Sequence, residues 1–153
     1  MALCYHYLYG GDNDMNENRY FIYDGDIAGF HYRSKEIRRL AKSIYKEKVE
    51  NDDPLVSETF KEEAEYGIYF KDIKVIHNPK NKYDANAIEI YSGDVFIGYV
   101  PKLLNKKVLK EMRENNDKVI HFEACYVKED EDDEFFDDYN EPERVNLVVY
   151  YDY

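Results

Sequence analysis

Apolar residues in this chain change spacing along its length, from every second position to helical intervals and back, and that alternation limits the folds open to it. Over the first 33 residues Tyr, Phe and Ile alternate with polar residues, interrupted at Gly10-Gly11-Asp12-Asn13 and at Asp24-Gly25-Asp26. This predicts two or three short strands, the best of them over 27–33. Ser34 then caps a helix in which Ile37, Leu40, Ala41 and Ile44 recur at helical spacing to about Val49. Asn51-Asp52-Asp53-Pro54 ends it, and Ser57 opens a second, acidic helix that stops at Gly67. From Tyr66 the spacing returns to two: Ile68, Phe70, Ile73, Val75 and Ile76 predict one strand, residues 87–91 a second, and 95–100 a third after the hairpin signal Ser92-Gly93-Asp94. Pro101 sits at the first turn of a helix carrying Leu103, Leu104, Val108, Leu109 and Met112. Residues 119–127 and 145–151 are closing strands, with an acidic loop over 128–143 between them. Short strands with inserted helices predict an α+β, mainly β fold: a small curved sheet or partly open barrel of the OB or SH3 sort. It carries an inserted helical pair over 34–66. A length of 153 residues suits one domain spanning 1–153.

Several functional classes drop out. The longest apolar runs fall far short of a membrane span, and the N-terminus has no basic region ahead of its apolar residues, so a cytoplasmic location is expected. Cys4 and Cys125 match no metal spacing and read as reduced core thiols. The four histidines share no ligand spacing, and no nucleophile elbow, phosphate-binding loop or zinc-protease motif is present; neither an enzyme nor a cofactor is expected. Asp84 and Glu89 suggest a nuclease metal pair, but Tyr91 stands where the common pattern wants Lys. The run 129–134 lacks the glycine and the spacing of a calcium loop.

A net charge of −12 argues at first against a nucleic-acid partner, since affinity there comes from cations neutralising phosphates. The acid is segregated, however: residues 123–153 carry −10 while 33–48 carry +5 and 68–122 carry +3. With a screening length of about 8 Å at physiological salt, a basic surface can coexist with acidic flanks.

The most informative run is His77-Asn78-Pro79-Lys80-Asn81-Lys82-Tyr83-Asp84-Ala85-Asn86-Ala87-Ile88-Glu89-Ile90, followed by Ile97-Gly98-Tyr99-Val100-Pro101-Lys102-Leu103-Leu104. Together these closely resemble the HIRAN family, with its Asn-Pro-Tyr-Asp-x-Asn-Ala-Ile type segment, Gly-containing hairpin and Ile-Gly-Tyr-Val-Pro before a helix. Ile27-Ala28-Gly29-Phe30-His31-Tyr32 resembles that family's opening strand, so the likeness spans about 26–33 and 68–127. Lys82 stands where the family usually has Pro, the helical excursion is longer than usual, and no ATPase motor is attached, so a helicase-associated role does not carry over. The resemblance implies a barrel-like module for single-stranded DNA or its 3′ end, with binding residues at His31, Tyr32, Asn81, Tyr83 and Asp84.

Residue chemistry agrees with that implication. Tyr83, at the end of a polar turn, can offer a face for base stacking, with Tyr32 as a second face. Ionised Asp84 only accepts hydrogen bonds, so it would take a terminal sugar hydroxyl and repel a terminal phosphate. Lys74, Lys80, Lys82 and Lys102 lie near enough in sequence to contact phosphates. Blander roles stay open: Tyr83 as a core residue, Asp84 and Asn86 as closers of an Asx turn, the lysines as a solvated face, His31 as an outward strand residue. Gly98 reads as a bulge or a close backbone approach. A second reading is an acidic inhibitor of bacteriophage type that imitates nucleic acid and fills the basic channel of a defence nuclease or helicase. Its contacts would be Asp132, Asp133, Glu134, Phe135, Phe136, Asp137, Asp138 and Tyr139.

Overall fold

A computed structural model of the protein describes residues 19–50, 53–64, 67–114, 119–128 and 143–152. Strands β1 (Arg19–Asp26), β2 (Ile68–Tyr69), β6 (Ile120–Lys128) and β7 (Glu143–Asp152) form an antiparallel sheet in the order β1-β7-β6-β2, and β3 (Ile73–His77), β4 (Ile88–Ser92) and β5 (Val95–Tyr99) form a second in the order β3-β4-β5. Helices α1 (Phe30–Val49) and α2 (Pro54–Ala64) stand between β1 and β2, and α3 (Asn105–Glu114) follows β5. The mainly β, α+β class is as expected. Among the described residues the strands form two sheets, not closed into a barrel, joined by a bridge between Ala28 and Tyr99 whose two backbone hydrogen bonds are both 2.9 Å.

The Val- and Tyr-rich β7 pairs along nearly its whole length with both β1 and β6, and its residues Val145, Leu147 and Val149 are fully buried. Helix α1 lays Ile37, Ala41 and Ile44 into the same core, which continues through Ile68, Ile88, Ile90, Ile97 and Val108. Each buried isoleucine contributes about 1.5–3 kcal/mol relative to exposure. A charged clasp adds direction to that packing. Arg38 of α1 donates from Nε and Nη2 to the two carboxylate oxygens of Glu143 at 2.8 and 2.7 Å, and the Tyr126 hydroxyl donates to the same carboxylate at 2.6 Å. Cys125 is buried, its Sγ 3.8 Å from the Tyr126 carbonyl oxygen; Cys4 lies outside the described residues.

Four local expectations are corrected. Residues 27–33 are not a strand: Gly29, at φ +85°, turns the chain directly after the Ala28 bridge, and Phe30 starts α1 because Phe30, Ile37, Ala41 and Ile44 share one helical face. Asp24-Gly25-Asp26 does not break β1, since these residues continue pairing with Val148, Leu147 and Asn146. The stretch from Ile68 to Ile76 is two strands in different sheets, divided where Asp72 takes φ +51° and its carbonyl accepts from the Gly93 N–H at 2.9 Å. Ser57 does not open α2. Pro54 does, with the Asp53 carboxylate accepting from the Leu55 N–H at 3.0 Å, while the buried Ser57 hydroxyl donates to the Val49 carbonyl and ties the two helices.

After β5, Pro101 precedes a single 3-10 turn (Lys102–Leu104), and α3 starts only at Asn105. Leu103, expected on the apolar face of one continuous helix, is therefore 98% exposed. No helix among the described residues is long and apolar enough to cross a membrane.

Candidate nucleic-acid interface

Ten residues connect β3 to β4, and a connection of that length must satisfy its backbone N–H groups without a ladder. It does so with side chains. Asn78 Oδ1 accepts from the Lys80 N–H at 3.1 Å, Asn81 Oδ1 from Tyr83 and Asp84 at 2.9 and 3.1 Å, and Asp84 Oδ1 from Asn86 at 2.9 Å. His77 Nε2 donates to the Ala85 carbonyl at 2.9 Å, fastening the turn to the end of β3. With the backbone held this way the Tyr83 ring stands outward, 79% exposed, and is not a core residue. The Lys82 ammonium lies 4.9 Å from its centroid. The Asn81 carboxamide thus organises the turn although Lys82 lacks the conformational restraint of proline.

The turn forms one wall of a groove of about 200 Å³. Asn81, Tyr83 and Asp84 line that wall; Lys102 and Asn105, from the 3-10 turn and the start of α3, line the other; Ala28, Tyr99 and Val100 lie between them. The sheet-joining bridge brings Ala28 there, and its close approach to β5 depends on Gly98, whose φ is +150° and where an added Cβ would lie 2.6 Å from the Ala28 carbonyl oxygen. Gly98 meets both expectations for it, because the ladder opposite also shifts register between Ile90 and Tyr91.

Asp84 holds the centre. Its Oδ1 accepts from the Asn86 N–H and its Oδ2 from Asn105 Nδ2 at 2.8 Å. These two bonds, aided by the charges of Lys102 and Lys106, outweigh desolvation and hold the carboxyl below its usual pKa. Asp84 therefore does close an Asx turn, with Asn86 entering as the N–H donor; its carboxylate remains ionised beside the groove. Asn105 is 2% exposed. Because a carboxylate only accepts, Asn105 must turn its NH₂ toward Asp84, and its Oδ1 is buried with no hydrogen-bond partner among the described residues. The Asp84 carboxylate, lining the groove, suits a ligand that donates, such as a hydroxyl.

Of the residues singled out in the sequence, Asn81, Tyr83, Asp84 and Lys102 meet in this groove, and Lys80 and Lys82 are exposed on the same turn. His31 and Tyr32 are on the first turn of α1, just beyond Ala28, rather than on a strand; both are exposed, Tyr32 at 90%. That end of α1 has no side-chain cap and no acidic residue in its first turn, and it lies against β5, where Arg33 covers the Phe96 ring at 5.0 Å. Lys74 is not brought to the groove. It stands three residues back along β3, about 10 Å from His77, with its ammonium 3.5 Å from Asp94 at the opposite hairpin. Residues 132–139, the contacts of the inhibitor reading, lie outside the described residues. Among the described residues no cluster of His, Cys, Asp and Glu could hold a metal ion.

Tyr99 and Asn105 were not singled out in the sequence. Asn105 did leave a signal: it occupies an apolar position of its helix, in register with Val108, Leu109 and Met112, and a buried polar residue there needs a partner.

No curated protein and no solved structure matches this chain. The family model of the HIRAN domain matches residues 20–151, running through the helical pair that the motif likeness had left out. With nearly its whole length matched, from the start of β1 through the Tyr83–Asp84 turn to β7, this chain belongs to the HIRAN domain family of DNA-binding modules.

Proposed function

We propose that this protein binds single-stranded DNA at a free 3′ end, recognising the terminal hydroxyl. The observation that carries this reading is the Asp84 carboxylate, held ionised and oriented beside an exposed Tyr83 ring. In such a complex the terminal base stacks on Tyr83, with Tyr32 and His31 flanking it from α1, an interaction of about 1–3 kcal/mol per stacked base. The 3′ hydroxyl donates to Asp84. Lys80, Lys82, Lys102 and the uncapped end of α1 attract the adjoining phosphate, which positions the strand without reading its bases. A terminal phosphate in place of the hydroxyl would set anion against anion and offer Asp84 no proton.

Fluorescence anisotropy with two oligonucleotides differing only in a 3′ hydroxyl or 3′ phosphate, at two salt concentrations, tests the reading. Tighter binding of the hydroxyl end is expected, with discrimination lost in Asp84→Ala. Equal affinity for both ends in the intact protein would refute it.

A further inference from the structure

We propose that the outer wall of α3 carries the phosphodiester backbone of the bound strand as it leaves the end-binding groove. This rests on the end-binding reading and extends it from one terminal nucleotide to the strand behind it. A second groove, of about 330 Å³, runs along α3 between Asn86 and the side chains of Lys106, Leu109, Lys110 and Arg113. It adjoins the first along the chain: the Asn86 N–H donates to the Asp84 carboxylate, and Lys106 follows the groove-lining Asn105.

Lys106, Lys110 and Arg113 stand at i, i+4 and i+7, so they fall in one row over about 10 Å of helix. All three are exposed. Lys102, one turn earlier in the chain, lies in the first groove, so cations lead from the terminal site onto α3. Leu109, 5% exposed, anchors this wall to the core beneath it. Among the described residues Glu114 is the one acidic residue lining it, and its ion pair is with Lys110, at 3.9 Å, with both side chains about two-thirds exposed. A solvated pair of that kind is worth at most about 1 kcal/mol, and a phosphate can replace the carboxylate.

Lys35, Arg39 and Lys42 form a comparable exposed row on α1. They lie opposite the buried Ile37, Ala41 and Ile44 and line neither of the two grooves described above. Concavity and adjacency to the Asp84 groove select α3.

The test compares 3′-hydroxyl oligothymidylates of two and eight nucleotides across a salt series, using the intact protein, Lys110→Gln/Arg113→Gln on α3 and the charge-matched Arg39→Gln/Lys42→Gln on α1. The intact protein should bind the octamer more tightly than the dinucleotide. The α3 variant should lose that gain, about tenfold at low salt, with a slope of log K against log[salt] shallower by about 1.4, while its dinucleotide affinity stays within about twofold. Binding of the dinucleotide without any gain from length overturns the α3 track and leaves the end-binding reading standing. An equal loss in the α1 variant also overturns the track, as an effect of net charge. Failure of every oligonucleotide to bind overturns both.

Discussion

The Asp84 carboxylate and the Asn105 carboxamide, 21 residues apart in the chain, meet at 2.8 Å and tie the β3–β4 connection to the first turn of α3. That contact fixes the orientation of the Asn105 amide and, after the larger effect of the Asn86 N–H, helps to lower the Asp84 pKa. It also makes Asn105 the residue through which the groove can be altered without touching any exposed side chain.

Replacing Asn105 with Ala removes one of the two bonds that hold Asp84 ionised. The Asp84 pKa should then rise toward the ordinary value of about 3.9, which carboxyl chemical shifts followed through an NMR pH titration would report. Affinity for a 3′-hydroxyl strand should fall about tenfold, the loss expected when a hydrogen bond to a charged group goes unmade.

Tyr83→Ala should leave the fold alone, because the ring is exposed and belongs to no core cluster. Surface changes of this kind stay within about 0.5 kcal/mol of stability. Binding of short single strands should weaken by about 1–3 kcal/mol if the ring stacks a base, and anisotropy titration alongside urea denaturation separates the two effects.

Gly98→Ala should act at once on stability and on the groove. A Cβ there meets the Ala28 carbonyl oxygen at 2.6 Å and the Ile27 side chain at 3.0 Å, and φ at +150° is unfavourable for an L residue. A cost of about 1–3 kcal/mol is expected from the backbone alone. Because the Ala28–Tyr99 bridge must move and both residues line the groove, oligonucleotide affinity should fall in the same variant.

The Arg38–Glu143–Tyr126 clasp should govern acid stability. Burial alone would raise the Glu143 pKa, but hydrogen bonds from Arg38 and Tyr126 and the Arg38 charge hold it below its usual value. A folded-state pKa below the unfolded one, about 4.3, means that the contribution is complete at neutral pH and is lost as pH falls below about 4 through the depressed value. Glu143→Gln should flatten that acid limb in urea titrations at several pH values. Arg38→Met, which leaves the carboxylate without its partner, should cost about 3 kcal/mol at pH 7.

Much of this protein was legible from one-dimensional pattern. Strands β3, β4, β5, β6 and β7 follow the period-two runs, and the helices follow apolar residues at helical spacing to within a few positions, because each element answers mainly to which of its own faces can be buried. The turn from His77 to Ile88 was readable for a related reason. Its Asn and Asp side chains bond to backbone two or three residues away, so the conformation that exposes Tyr83 is a local property.

What depended on distant parts of the chain was not legible. Residues 30–33 have strand-like composition, but Gly29 turns them into α1 because Ala28 is needed at Tyr99, 71 positions later in the numbering. The split of 68–76 between two sheets depends on β6 on one side and β4 on the other, neither of which the segment encodes. The same holds for the groove. Sequence alone determined that a phenol, a carboxylate and lysines would be presented on one polar turn; only tertiary packing decided that Asn105 would sit buried against Asp84, that Ala28 and Tyr99 would complete the wall, and that Lys74 would face the other way. Local hydrogen bonding is encoded by neighbours, whereas a cavity is a relation between elements that meet only after the core has formed.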